Sequence, residues 1–133
     1  MKAGVTWKEG MVFNGFNDMN STENAITLPG PTPKHLFLQS IAGCTAMDIV
    51  GILEKMRAVM PSKFSVSVEA DVTETHPRVF TSFTMVYHFE GGTDPEKIRK
   101  AVKLSQDTYC GISTMAKKIA PFNIRTELNG NEI

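Results

Sequence analysis

A chain of 133 residues is the size of one domain and can bury a core without disulfide staples or a structural metal. Its 14 basic residues balance its 14 acidic ones, which removes the electrostatic case for nucleic acid or an anionic membrane surface. Two distant cysteines, Cys44 and Cys110, fit neither a disulfide framework nor a zinc knuckle, and His35, His76 and His88 have no ligand spacing to them, so neither metal nor cofactor is expected.

No repeat, linker or low-complexity segment divides the chain, so a single domain over residues 1–133 is expected. It opens with short strands, Val5-Thr6-Trp7 and Met11-Val12-Phe13, with Gly10 between them and an Asn14-Gly15 turn signal after them. Met1 to Val5 has no apolar signal core, and the run Ile41–Leu53, broken by Thr45 and Asp48, is too short and polar to cross a bilayer. A cytoplasmic protein is expected. Gly30-Pro31-Thr32-Pro33 punctuates the chain; Thr32 can cap a helix whose first residue is Pro33. That helix is read to about Met60, before Pro61. It is apolar on nearly every face through Leu36, Phe37, Ile41, Met47, Ile49, Val50 and Leu53, which predicts burial on all sides. About 27 residues at 1.5 Å each make a helix of roughly 40 Å. So small a domain wraps that length poorly, and a homodimer is expected to cover it.

Strict alternation follows, with Phe64, Val66, Val68, Ala70 and Val72 on one face of a strand. Thr75-His76-Pro77-Arg78 turns the chain into a second strand, Val79 to Phe89, with Val79, Phe83, Met85, Tyr87 and Phe89 sharing a face. The two should form an antiparallel hairpin over the long helix. Thr93 and Glu96 have capping-box spacing around Pro95 and open a helix that turns Ile98, Ala101, Val102 and Leu104 inward. A break near Asp107-Thr108-Tyr109 precedes a short helix starting at about Cys110. Pro121 ends it, and Phe122 to Leu128 reads as a last strand. The fold class is α+β.

Cys44 lies in the most apolar helix, where a free cysteine also serves as a small hydrophobe. Gly43 and Ala46 allow close approach, and Asp48 is one turn along the same face, where it can accept a hydrogen bond or stand as a structural carboxylate. Cys110, at the predicted start of a short helix, is placed where backbone N–H groups favour a thiolate. As a pair the two suit peroxide chemistry: one thiolate attacks the O–O bond and becomes a sulfenic acid, and the second condenses with it to a disulfide. That requires Cα atoms about 4.4–6.8 Å apart.

Thr32-Pro33-Lys34-His35-Leu36, Ile41-Ala42-Gly43-Cys44-Thr45-Ala46-Met47-Asp48 and Tyr109-Cys110 resemble the central helix and the late cysteine helix of the OsmC/Ohr family (osmotically inducible and organic hydroperoxide resistance proteins). The order of elements agrees over nearly the whole chain, and the Gly-Cys-Thr-Ala-Met-Asp stretch looks most like the small OsmC-like branch. The resemblance implies an OsmC-like fold, an antiparallel sheet packed on a long buried central helix, in an intertwined homodimer with sites at the interface. It implies that Cys44 is the peroxidatic thiol and Cys110 the resolving one. It implies reduction of a small-molecule peroxide, organic hydroperoxide or hydrogen peroxide, with recycling by a dithiol or lipoylated protein. The chain departs from the family in one respect. The family's arginine turn best matches Lys8-Glu9-Gly10, its glutamate falls on Lys34, and no arginine precedes Arg57. Lys8 and Asp48 are the candidate thiolate-stabilising groups, Lys8 lacking the planar fork of an arginine.

Two functions follow as expectations. One is a two-cysteine peroxidase. The other is a binding or redox-sensing protein with a hydrophobic ligand pocket at the dimer interface, which eight methionines and the apolar helix permit.

Overall fold

A computed structural model describes residues 1–133. The chain forms two compact units, Met1–Phe37 and Leu38–Ile133. In the first, β1 (Ala3–Glu9), β2 (Val12–Asn17) and β3 (Asn24–Thr27) make an antiparallel meander in that order. The β1–β2 turn is at Gly10, whose φ of +48° favours a residue without Cβ. The Asn14-Gly15 signal is not a turn: both residues sit within β2, opposite Thr6 and Val5. Gly15 is needed there for room, because a Cβ on it would lie 2.6 Å from the Asn24 side chain on β3.

Helix α1 runs from Pro33 to Lys55, shorter than the expected reach to Met60. Thr32 stands before it; its carbonyl accepts from Leu36 N–H at 3.1 Å and its hydroxyl bonds His35 Nδ1 at 2.7 Å. The expected all-round burial is not what this chain shows. Burial follows one stripe, Ile41, Thr45, Ile49 and Leu53, at four-residue spacing. Met47, on another face, is 79% exposed. At 23 residues and a mean hydropathy of 1.7 over its most apolar window, α1 is long and apolar enough to cross a bilayer by length and composition, contrary to the sequence reading. The buried stripe and the hydrogen bonds of Thr45 instead identify it as the core helix of a soluble protein.

In the second unit, β4 (Lys63–Val72) and β5 (Phe80–Glu90) form the expected antiparallel hairpin. The register slips between Asp71 and Val72, which leaves Val72 exposed, and Val79 lies outside the strand and faces solvent. Phe83, Met85, Tyr87 and Phe89 supply the buried heart of β5. β6 (Phe122–Leu128) joins β5 in parallel, and β7 (Asn131–Glu132) closes the edge, so the sheet β4-β5-β6-β7 is mixed. The parallel pairing follows from the connection. Helix α2 (Pro95–Leu104), a π turn (Ser105–Tyr109) and helix α3 (Gly111–Ala116) carry the chain back before β6 begins. Asp94, not Thr93, caps α2: its carboxylate accepts from Glu96 N–H at 2.9 Å, with Pro95 at the first helical position.

Candidate active site

The site lies in the second unit and draws on three places in the chain. Helix α1 carries Cys44, Thr45 and Asp48, β5 carries Tyr87, and the segment from the end of α2 into α3 carries Ser105, Gln106, Cys110 and, within α3, Ser113. Thr45 is the polar member of the buried α1 stripe, and a hydroxyl buried there costs stability unless it is hydrogen-bonded. It bonds across to Tyr87 Oη at 2.7 Å and Ser105 Oγ at 2.8 Å, and accepts from Gln106 Nε2 at 3.2 Å. Gln106 Nε2 also reaches Tyr87 Oη at 2.8 Å and Ser113 Oγ at 3.3 Å, while its buried Oε1 has no partner. This polar knot ties the helix, the sheet and the late turn together.

The π turn sets where Cys110 points. Cys110 N–H donates to Ser105 O, five residues back, at 2.8 Å, and the chain leaves the turn extended at φ −77°, ψ 92°. Cys110 therefore caps α3 rather than beginning it. Its sulfur accepts from Ser113 N–H at 3.4 Å and its thiol donates to Ser113 Oγ at 3.1 Å. The sulfurs of Cys44 and Cys110 and a carboxylate oxygen of Asp48 all lie within 4.8 Å of one another. Cys44 is half-buried and Cys110 only 1% exposed. Beside them, a cleft of about 230 Å³ is lined by Met47, Asp48, Gly51, Ile52, Lys55 and Tyr109. A second of about 240 Å³ shares Ile52, Lys55 and Tyr109 with it.

A family model described as OsmC-like protein matches residues 23–125. The chain belongs to the OsmC-like family. It is 31% identical over 127 residues to Protein YhfA of Escherichia coli strain K12, covering 89% of this chain and 90% of that protein. Its fold is that of a hypothetical protein from Aquifex aeolicus VF5, with a TM-score of 0.86 at 23% identity, covering 96% of this chain and 95% of that one. The organic hydroperoxide resistance protein OhrB of Bacillus subtilis shares the fold at a TM-score of 0.65 and 15% identity, covering 96% and 98% of the two chains.

Within the OsmC-like fold, Cys44, Asp48 and Cys110 meet, and Lys8 is an exposed residue of β1 in the first unit. Burial pushes the Cys44 thiol above its ordinary pKa. A hydrogen bond to Cys110 raises it further, as do the negative charges of Cys110 and Asp48; only the Ile112 backbone N–H lowers it. Asp48 therefore opposes the thiolate it was expected to steady, because its own charge is negative. It is held instead by Ser105 Oγ, which donates to its Oδ2 at 3.0 Å. Sequence reasoning missed Thr45, Tyr87, Ser105, Gln106 and Ser113. The one available signal was Thr45, a lone hydroxyl at the second position of an otherwise apolar stripe.

Tyr87 carries a testable consequence. Burial, against the pull of its hydrogen bonds to Thr45 and Gln106, pushes its phenol up to about 12. Below pH 10 the folded and unfolded chains both keep this proton. Above it the unfolded chain loses the proton first, so stability falls by about 1 kcal/mol at pH 11. Tyr87→Phe removes that loss. Urea unfolding should show the stability gap between wild type and variant shrinking by this amount from pH 8 to pH 11; a constant gap refutes the assignment.

Proposed function

We propose that this OsmC-like protein is a two-cysteine thiol peroxidase acting on organic hydroperoxides or hydrogen peroxide. The observation that carries the reading is a half-buried Cys44 sulfur within 4.8 Å of the buried Cys110 sulfur. The more accessible member can meet substrate, while the buried one is kept for resolution. The Cys44 thiolate attacks one peroxide oxygen and the O–O bond breaks. The leaving alkoxide takes a proton, giving an alcohol and Cys44 sulfenic acid. The Cys110 thiolate then attacks the Cys44 sulfur. A disulfide forms and hydroxide leaves, protonated to water. With no family arginine in the chain's first half, the Ile112 N–H supplies the donor that favours the Cys44 thiolate, and the Ser113 N–H holds the Cys110 sulfur in position. Kinship in fold with proteins named for organic hydroperoxide resistance supports the reading.

An external dithiol or lipoylated protein reopens the disulfide, in a cytoplasm that keeps thiols reduced. The working form is a homodimer, supported by the exposed Met47 and Val50 on the outer faces of the core helix. The test is a titration of reduced protein with cumene hydroperoxide and, separately, hydrogen peroxide, followed by peptide mass mapping. One equivalent should consume both thiols and yield a Cys44–Cys110 disulfide. If both remain titratable, the proposal fails, and the mostly apolar neighbouring cleft lined by Ile52, Met56, Leu104 and Tyr109 then favours a ligand-binding role, read by native mass spectrometry of the purified protein.

A further inference from the structure

Cys44, Asp48 and Cys110 present two sulfurs and a carboxylate oxygen to one point, and we infer that in the reduced protein they form a binding site for a thiophilic divalent cation of the zinc type. The donor set is the first reason. Two thiolates and a carboxylate suit zinc, which accepts sulfur and oxygen ligands in a tetrahedral shell, and poorly suit the oxygen-seeking magnesium or calcium. The spacing is the second. Cys44 and Asp48 stand at i and i+4 on α1, the separation that turns two helical ligands toward one ion, and Cys110 closes the triangle from the π turn, all three donors within 4.8 Å.

Support around the ligands is the third reason. Ser105 Oγ holds Asp48 Oδ2 at 3.0 Å, while Ser113 fixes the Cys110 sulfur through its hydroxyl at 3.1 Å and its N–H at 3.4 Å. Such outer contacts orient metal ligands. Charge is the fourth. Asp48 is in none of the chain's ion pairs, although Lys55 lines the same cleft, so a cluster of three potentially anionic donors has no fixed cation of its own. The cleft of about 230 Å³ at Asp48 leaves room for water as a fourth ligand. The histidine-based spacing rules could not find this site, because one ligand comes from sixty-odd residues downstream of the others.

The cation and a hydroperoxide then compete for the same sulfurs. Oxidation of the bound pair takes two electrons from the thiolates, and two protons and the peroxide yield disulfide, alcohol and water while the cation is released. The site rests on the meeting of the thiols, not on their peroxidase turnover, and the two can be tested apart. Reduced full-length protein is titrated with cobalt(II) as a spectroscopic probe, with zinc as the displacing ion. We expect one equivalent bound, with sulfur-to-metal charge-transfer absorption and the intense visible bands of a tetrahedral site. Cys44→Ser and Cys110→Ser should each abolish that spectrum. Asp48→Asn should weaken binding tenfold or more with circular dichroism unchanged, and zinc loading should slow thiol oxidation by hydroperoxide tenfold or more. Absence of the charge-transfer absorption in reduced wild type, or equal affinity in folded Asp48→Asn, overturns the site. Peroxide consumption in a protein that binds no cobalt leaves the peroxidase reading intact, and binding without peroxide consumption leaves only the metal site.

Discussion

Cys44→Ser should lower hydroperoxide consumption by about a thousandfold or more, whereas Cys110→Ser should still react once per chain. A serine hydroxyl in place of the half-buried thiol has no accessible anion near neutral pH, and the remaining thiol of the cluster, Cys110, is only 1% exposed and so shielded from peroxide. Loss of Cys110 leaves that first step intact and removes the second. The sulfenic acid then persists beside Asp48 with no thiol to condense with, and further peroxide drives it to sulfinic and sulfonic acid. Intact-mass spectrometry separates the cases: no oxygen added in Cys44→Ser, one and then two or three in Cys110→Ser, and loss of two hydrogens in wild type. A Cys44→Ser protein that turns over at the wild-type rate would end the mechanism, whatever the fold.

The second large effect is on pH. Burial, the bond to Cys110 and the charges of Cys110 and Asp48 hold the Cys44 thiol above its ordinary range, about 8.5, so near pH 7 the reactive thiolate is a small fraction. The fraction grows about tenfold per pH unit until the pKa is reached. The second-order rate of the first step should therefore rise about a hundredfold from pH 6.5 to 8.5. Asp48→Asn removes one of the opposing charges, so its profile should lie at lower pH. Stopped-flow measurement of the reduced proteins at constant ionic strength checks both. A rate already flat at pH 7 refutes the raised thiol and requires a cation beside Cys44.

The fold was largely legible, because period-two alternation in Phe64–Val72, the capping signal at Thr32-Pro33 and the helix start at Pro95 act locally, although the cap of that second helix proved to be Asp94 rather than Thr93. Where reading failed, a non-local contact decided. Asn14-Gly15 looks like a turn, yet the glycine is there to make room for Asn24 on the next strand. The core helix is apolar all round in sequence, yet within one chain only its Thr45 stripe is buried. The cysteine pair was named from residue type and kinship. The hydroxyl and amide knot behind it was not, since Ser105 and Gln106 acquire meaning only when a winding irregularity brings them to Thr45 and Tyr87, and Ser113 only through Gln106 and Cys110.

That irregularity reaches beyond this chain's chemistry. The five residues Ser105–Tyr109 act as a spacer whose length helps to aim the second sulfur, while Ser105 and Gln106 within it anchor the turn to the core helix and the sheet. A lineage that loses one of them can keep both flanking helices and both cysteines and still forfeit the partnership between them. Among relatives, retention of two cysteines is thus an insufficient mark of a working pair; the number of residues between the late helices is the character to trace.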